Sequence, residues 1–316
     1  MADVVCVGDL LIDFVPTVTG TGLVDAPAFQ KAPGGAAANV AVGLARLGAS
    51  SAFMGKVGSD PFGHFLAGTL SQEGVDITPL RFESRARTAL AFVSLRADGE
   101  REFLFYRHPS ADMLFMPEEV DEDAIAACRV LHFDSISLAA AQPRATVLHA
   151  VGLAREAGKL VSYDVNLRLP LWSDADAARD GIRTGLALAD IAKLSDDELE
   201  FLTGRRDPAA VQSLWHAGLK VAVLTMGGRG SILITGDGQR EIPSIPVKAV
   251  DTTGAGDGFV AGFLAGLLRH KVVPGAVDLA EICRFANVVG ALTTTERGAI
   301  PALPTRAAVE AQLFPG

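Results

Sequence analysis

The sequence predicts an α/β fold in which helices cover a mainly parallel sheet and a small second β-sheet projects from the main body. Three observations carry this. From Val130 onward, short apolar strands alternate with helix-length segments, the punctuation of βαβ units. Earlier in the chain, Asp98-Gly99 lies between two β-rich runs, a hairpin signal that differs in style from its surroundings. The 316 residues are 49% hydrophobic, enough for a large core, and that length allows either two domains or one large unit.

Val4 to Val7 reads as a buried strand ending at Gly8, and Leu10 to Val15 as an extended apolar segment. Residues 16–33 carry Pro, Gly and Thr and read as loop or short edge strands. Pro33-Gly34-Gly35 leads into an Ala-rich helix, Ala36 to Leu47, stopped by Gly48. A strand at Ala52 to Val57 and a helix from Pro61 to Glu73 follow. Thr88 to Leu95 and Glu102 to Tyr106 flank Ala97-Asp98-Gly99-Glu100; with residues 10–33 they make the projecting sheet. The parallel strands are Val130 to Phe133, Leu160 to Asp164, Ile191 to Leu194 and Val221 to Thr225. Helices between them span Pro143 to Ala157, Ala175 to Leu188, and Asp196 to Leu202 with Pro208 to His216. Ser231 to Thr235 and Arg240 to Ile245 form a hairpin around Gly236-Asp237-Gly238. Helices Asp257 to His270 and Ala276 to Thr295 close the chain, with a short last one from Thr305. Glu118 to Asp123 reads as a solvated, acidic helix start.

The net charge is −9 with no basic block, which argues against a general nucleic-acid or membrane-surface binder. Cys6, Cys128 and Cys283 are odd in number and far apart, so they read as buried apolar residues in a reducing compartment. The first residues lack a basic signal-like region, and no apolar stretch has the length to cross a bilayer. The expected class is a soluble cytoplasmic enzyme. No Cys/His cluster has zinc spacing, and no G-x-S-x-G elbow is present.

The most informative stretch runs from Asp251 through Thr253 to Gly254-Ala255-Gly256-Asp257, followed by Phe259, Val260, Phe263, Leu264 and Leu267 at helical spacing. The small residues let backbone N–H groups crowd round an anion at a helix start. Asp257 would repel a phosphate at rest, so its natural task is to take a proton from an attacking hydroxyl. The plainer alternative is a glycine-rich helix start capped by Asp257. The Walker-type phosphate loop is absent. Thr225-Met226-Gly227-Gly228-Arg229-Gly230 follows a buried strand and offers either a tight turn or a backbone edge for a nucleotide. Gly34, Gly35 and Asn39 open a helix where a ligand can approach the backbone, and Asn39 can aim an amide at it. Asp9 and Asp13 end the first apolar stretch and can accept from hydroxyls, or are turn residues. Asp164, Asn166 and Arg168 would share one face of extended backbone, Arg168 as a fork for phosphate or carboxylate or as half of an ion pair. Ser195 and Glu198 have capping-box spacing; the rival role for Glu198 is to hold magnesium-bound water.

Gly34-Gly35 with Asn39, Asp164-x-Asn166-x-Arg168, Ser195 to Glu198 and Asp251 to Asp257 resemble, in order and spacing over nearly the whole chain, the ribokinase-like (PfkB) carbohydrate kinases. Phe105 to Leu114, Gly35 to Val40 and Asp164 to Trp172 are most similar to the fructokinase subgroup. Two departures stand out: Ser195 replaces the usual Asn of the magnesium motif, and Ala37 stands where fructokinases often have Pro.

The resemblance implies a ribokinase-like three-layer α/β/α core with a mostly parallel sheet, in one kinase domain over 1–316. A small β-sheet lid would be built from roughly 10–33 and 86–112. It implies Asp257 as base, with the N–H groups of Gly254, Ala255 and Gly256 as an anion hole. ATP would lie along Thr225, Gly227, Gly228 and Gly230, with Asn166 and Asn287 among its contacts and Asn287 near the adenine. Sugar would meet Asp13, Gly34, Gly35, Asn39 and Asp257, with Tyr106, Arg107 and Arg168 reaching sugar or phosphate. Glu198 would serve Mg2+ through water, and Asp251 and Thr253 a monovalent cation, K+. The implied activity is ATP-dependent phosphorylation of a sugar hydroxymethyl group, fructose to fructose 6-phosphate. The alternatives are a 2-keto-3-deoxygluconate kinase, then ribokinase or nucleoside kinase, and, outside enzymes, a non-catalytic sugar- or nucleotide-binding regulator. An exposed lid edge would pair with a second copy as a homodimer; neither nucleic acid nor membrane is an expected partner.

Overall fold

The computed structural model describes residues 1–18, 20–95, 101–270 and 276–314. The first half of the chain forms β1 (Val4–Val7), β2 (Leu11–Pro16), β3 (Phe29–Gly34), α1 (Ala36–Arg46), β4 (Ser51–Gly58), α2 (Pro61–Gln72), β5 (Leu80–Glu83), β6 (Leu90–Leu95) and β7 (Arg101–Tyr106). Then come α3 (Glu122–Ala127), β8 (Val130–Asp134), α4 (Ala141–Glu156), β9 (Leu160–Asp164), α5 (Ala175–Leu186), β10 (Ile191–Ser195), α6 (Asp196–Thr203) and β11 (Val221–Thr225). The chain finishes with β12 (Ser231–Thr235), β13 (Gly238–Ile242), α7 (Ala255–Leu267), α8 (Ala276–Thr293) and α9 (Arg306–Leu313).

Among the described residues, nine strands form the large sheet in the order β13-β12-β11-β10-β9-β8-β1-β4-β5. It is parallel from β11 to β5, and only the β11–β12 and β12–β13 pairings are antiparallel, so β12 alone runs against the rest. β1, β4 and β8 are buried at every position, as strands covered on both faces must be. The pleat of β1 divides the core in two. Val4 and Cys6 face the cluster formed with α1, α2, α7 and α8, whereas Val5 and Val7 face the one formed with α4, α5 and α6. This is the expected α/β/α layering. β1 pairs with β4 on one side and β8 on the other, so the strand order reverses there and leaves a crevice at the carboxyl ends.

The second sheet has the order β3-β2-β6-β7. β2 pairs antiparallel with β3 and parallel with β6, and β6 pairs antiparallel with β7. The predicted projecting sheet is therefore present, while its turn at Ala97 to Glu100 lies outside the described residues. Residues 29–34, expected at most as loop or short edge strand, form a six-residue edge strand; an edge tolerates Pro33, which has no N–H to give.

Several boundaries differ from expectation for local reasons. β5 went unforeseen because it is a short edge strand of alternating polar residues, Arg81 and Glu83 among them. The second strand of the last hairpin is Gly238–Ile242 rather than Arg240 to Ile245. Pro208–Leu214 winds as a 3-10 stretch, not an α-helix. The acidic run does lead into a helix, α3, but Asp121 caps it and α3 starts only at Glu122. The three cysteines are free and buried, and burial raises their thiols, Cys128 to about 11. No helix among the described residues is long and apolar enough to cross a membrane.

Candidate active site

α7 begins two residues before Asp257. Gly254 holds a left-handed φ of 78° as its N-cap, and a Cβ there would lie 2.7 Å from the Ala299 side chain. No side chain caps this helix start. The Ala255 N–H makes only a long 3.3 Å bond back to the Thr252 carbonyl. Asp257 is not a cap. Its carboxylate accepts a buried 2.7 Å hydrogen bond from Asn39 Nδ2, one turn into α1. Asp257 is 8% exposed. Burial raises its pKa, opposed by the Asn39 bond and by the charges of Arg168 and Lys193.

A cavity of about 730 Å3 opens in front of this turn. It gathers Asn166, Arg168, Glu198, Thr225, Gly227, Gly228, Gly230, Asn287, Gly254, Ala255, Gly256 and Asp257, twelve of the residues singled out from sequence. Ser195 lines it as well, whereas Asp13, Gly34, Gly35, Asn39, Tyr106, Arg107, Asp251 and Thr253 do not. Asp13, on β2, packs its carboxylate against Gly34, and Gly35 caps α1 while Asp9 accepts from the Ala36 N–H at 3.2 Å. Together with Asn39 they form a polar wall on the small-sheet side of Asp257. Arg107 does not reach the large cavity. Its guanidinium pairs with buried Asp112, and it lines a separate cavity of about 280 Å3. Tyr106 is 58% exposed, with its ring edge-on to Phe92 at 5.6 Å.

The stretch after β9 departs from simple alternation. The strand ends at Asp164, and Asn166 adopts φ 35°, which turns the chain. Asn166 and Arg168 reach the large cavity, and Asp164 points to Lys193 instead. Arg168 Nη1 donates to the Leu167 carbonyl at 2.9 Å, and the guanidinium forms no ion pair with a described residue. Asn166 Nδ2 is buried without a hydrogen-bond partner.

The capping box is formed in full. Ser195 Oγ accepts from the Glu198 N–H at 3.2 Å, and Glu198 Oε2 accepts from the Ser195 N–H at 2.7 Å. The other oxygen, Oε1, accepts from the Leu167 N–H at 2.9 Å, so Glu198 ties the segment after β9 to α6. Asn287 Nδ2 donates to the carbonyls of Ile242 and Pro243, fastening the exit of β13 to α8. Asp251 accepts from the Thr253 N–H and hydroxyl at 2.9 and 2.7 Å and from the Gly298 N–H at 3.0 Å. It thus binds the turn to the loop after α8. Among the described residues, no group of three or more His, Cys, Asp or Glu is placed to hold a metal.

Sequence reasoning missed Lys193, on β10. It is 9% exposed, and its Nζ lies 3.0 and 3.2 Å from the two Asp164 oxygens. The signal was there: a lysine inside the apolar run Ile191 to Leu194 must find a buried partner. Asp134, at the end of β8, was also missed. It is buried, with Oδ2 unpartnered, and its pKa is raised well above the ordinary value by burial and by the charges of Asp9, Asp164 and Asp257.

Burial also raises Asp9, opposed chiefly by Arg107, and pushes Asp13 up to about 7 with help from the Asp9 and Asp257 charges. Asp164 rises to about 6, burial outweighing Lys193. For such groups the folded pKa exceeds the unfolded one. Their stabilising contribution is complete below the ordinary carboxylate range, about 4, and is lost as pH rises through 6 to 7. The ligand-free protein is therefore expected to lose stability between about pH 4.5 and 7.5. Asp13→Asn, which cannot ionise, should flatten that slope by on the order of 1 kcal/mol, read from urea midpoints across the range. An identical slope in parent and variant would refute the assignment to Asp13.

The site therefore combines a helix N-terminus, two cations and a hydrogen-bonded carboxylate around one cavity, an arrangement suited to holding a phosphate beside a hydroxyl. Comparison with known proteins agrees. The model of the pfkB family carbohydrate kinases matches residues 1–306. Fructokinase-2 of Solanum lycopersicum is 51% identical, over 96% of this chain and 93% of its own. A fructokinase from Xylella fastidiosa solved with bound ATP superposes with a TM-score of 0.91 at 33% identity, over 99% of this chain and 98% of that one. A double mutant of fructokinase from Vibrio cholerae O395, bound to fructose, ADP and potassium ion, gives a TM-score of 0.88 at 35% identity over 99% of both chains. The chain belongs to the pfkB family of carbohydrate kinases.

Proposed function

We propose that this kinase transfers the γ-phosphoryl group of ATP to a hydroxymethyl group of fructose, giving fructose 6-phosphate and ADP. The observation that carries the reading is the Asp257 carboxylate, held by Asn39 at the N-terminus of α7 and open to the large cavity. Relatives named fructokinase, and a neighbour bound to fructose and ADP, support the choice of sugar.

Asp257 accepts the proton of the sugar hydroxyl, and the hydroxyl oxygen forms a bond to the γ-phosphorus. The bond from that phosphorus to the β,γ-bridging oxygen breaks, and its electron pair leaves with ADP. General-base help supplies roughly 10²- to 10⁴-fold. The larger share comes from alignment and from the α7 N-terminus with its Gly254, Ala255 and Gly256 backbone donors. ATP runs along Thr225, Gly227, Gly228 and Gly230, with Asn166 and Asn287 on the same wall. The sugar lies against Asp13, Gly34, Gly35 and Asn39, and the four-stranded sheet acts as a lid that excludes water.

Mg2+, when bound, neutralises charge on the phosphate oxygens. Glu198 suits holding its water: each carboxylate oxygen takes one backbone N–H and keeps a lone pair for more. Asp251 and Thr253 shape the loop beside Gly298 for K+. β3 and β7 are the lid's edge strands, and pairing of two copies there would make a homodimer. A 2-keto-3-deoxygluconate kinase would need cations for the substrate carboxylate. Arg107 is already paired with Asp112, which leaves that task to Arg168 and favours fructose.

Three outcomes follow. In coupled ADP-release assays with fructose, ketodeoxygluconate, ribose, adenosine and no sugar, fructose should give the highest kcat/KM; a preferred ketodeoxygluconate would overturn the sugar assignment, and no release at all would favour a silent binder. Asp257→Asn should cut kcat by about 10²- to 10⁴-fold with ATP binding retained, and turnover within about tenfold of the parent would sink the base assignment. In Asn39→Leu the ionised Asp257 loses its stabilising N–H donor, so the carboxyl needs a higher pH to ionise. The acid limb of kcat/KM should then move up in pH; a limb that stays or moves down would count against the pair.

A further inference from the structure

A second cavity, of about 540 Å3, lies outside the catalytic crevice, between the start of α4 and the segment that enters α5. We propose that it binds a small amphipathic monocarboxylate, one with an aryl or branched alkyl body, and passes its occupancy to the catalytic cavity through the turn from Arg168 to Trp172. Among the helices whose start is described, only α1, α4 and α7 lack a side-chain cap. α1 and α7 start beside the Asn39–Asp257 pair, whereas α4 opens here, with Ala140 and Ala141 in the cavity wall. The N–H groups of Ala141 and Gln142 find no acceptor among the described residues, and no acid stands in the first turn of α4. Arg144, also in the wall, gives Nη2 to the Thr184 hydroxyl at 3.0 Å and pairs with no acid among the described residues. Free backbone donors with a guanidinium beside them suit a carboxylate.

Trp172 points to a ligand independently. It is 9% exposed, lines the cavity, and its indole N–H is buried without a hydrogen-bond partner. The benzo edge of the ring sits against Gly181 of α5, so the pyrrole edge that carries the N–H faces away from that helix. A buried donor left unpaired is costly, and an acceptor arriving in the cavity relieves that cost once the ring turns slightly toward it. The rest of the wall is mainly apolar, Leu138, Ala145 and Leu148 among it, and its one acid, Asp180, disfavours a second negative charge. A single carboxylate on an apolar body fits this wall, and a polyphosphate or sugar phosphate does not. Movement of Trp172 reaches the catalytic cavity by a short path. The Trp172 N–H donates to the Leu169 carbonyl at 3.0 Å and the Leu171 N–H to the Arg168 carbonyl at 2.9 Å, so the segment is one hydrogen-bonded turn. Trp172 lines this cavity at one end of it, and Arg168 lines the large cavity at the other.

Trp172 and Trp215 are the two tryptophans of the chain, so Trp215→Phe leaves Trp172 as the sole fluorescent reporter. The test titrates that full-length protein with phenylacetate and isovalerate, and with phenylacetamide and inorganic phosphate for comparison. A carboxylate should change the Trp172 emission with a Kd of roughly 10 μM to 1 mM. The neutral amide should bind about tenfold more weakly, and Arg144→Gln should weaken the carboxylates by about the same factor without affecting the amide. Should Arg144→Gln fail to fold, Ala177→Leu, which narrows the cavity, must weaken the carboxylates instead. Calorimetry of ADP with magnesium, at saturating phenylacetate, should show its affinity altered about fivefold or more, and the change should vanish in Arg144→Gln at the same concentration. No response to either carboxylate at about 10 mM would overturn the site. Equal binding of the amide would leave only an apolar groove, and equal binding of inorganic phosphate only a bare anion site; either overturns the ligand class. Carboxylate binding with unchanged ADP affinity would overturn the coupling. Binding is read without turnover, so none of these outcomes depends on which sugar the enzyme phosphorylates.

Discussion

The hydrogen bond from Asn39 Nδ2 to Asp257 is the contact on which the rest of the site depends. It joins the first turns of α1 and α7, helices from opposite ends of the chain that pack side by side in one core layer. A charge-assisted bond of this kind is worth about 1.5–3 kcal/mol. Its larger consequence is positional. It keeps a carboxylate ionisable in a buried place and fixes it at a helix start, where it is the only acid in the first turn. With Asp257 so held, the α7 N–H groups face the cavity rather than a cap. Asp251 completes the arrangement by fastening the preceding turn to the loop at Gly298.

The parallel sheet explains why so many acids gather nearby. Asp9, Asp134, Asp164 and Ser195 all follow or end parallel strands at the same edge, on both sides of the point where the strand order reverses. Packed this closely, the carboxylates cannot all be charged, which is why burial and mutual repulsion raise Asp9, Asp13, Asp134 and Asp164 together. Lys193 and Arg107 offset part of that cost from opposite sides, through Asp164 and through Asp112 with Asp9. The Lys193 and Arg168 side of this field lines the large cavity, and Asp9 and Asp13 do not.

Much of this was legible in the chain, because the strong signals are local. The apolar strands from Val130 to Thr225 and the Gly254 to Asp257 turn carry their own periodicity and punctuation. So does the Ser195–Glu198 capping box, which formed as spaced. What escaped was set by partners distant in sequence. The left-handed Asn166 broke the expected alternation after β9, and Asp164, still within the strand, meets its register partner Lys193 on β10. Arg107, read as reaching sugar or phosphate, is also tied to Asp112, five residues on, a partner that the sequence reading did not name. β3 was obscured because Pro33 and Gly34 look like loop, whereas an edge strand needs neither a full set of donors nor a bulky side chain at its end.

The same division explains why the reaction is easier to read than the sugar. Phosphate is bound through backbone donors and fixed charge, and those demand glycines, a helix start and buried cations, which stand out in any sequence. A sugar is selected by where a few carboxylates and amides lie relative to its hydroxyls. The groups proposed for that task come from β2, the end of β3 and α1, held together by sheet pairing such as Leu11 opposite Gly34. Asp13 sits where it does because Gly34 across the ladder leaves room for its carboxylate, a fact of register rather than of motif. On that reading, substrate choice depends on the alignment of the small sheet on the large one, and changes in that register would alter it without touching a residue proposed for the phosphate side.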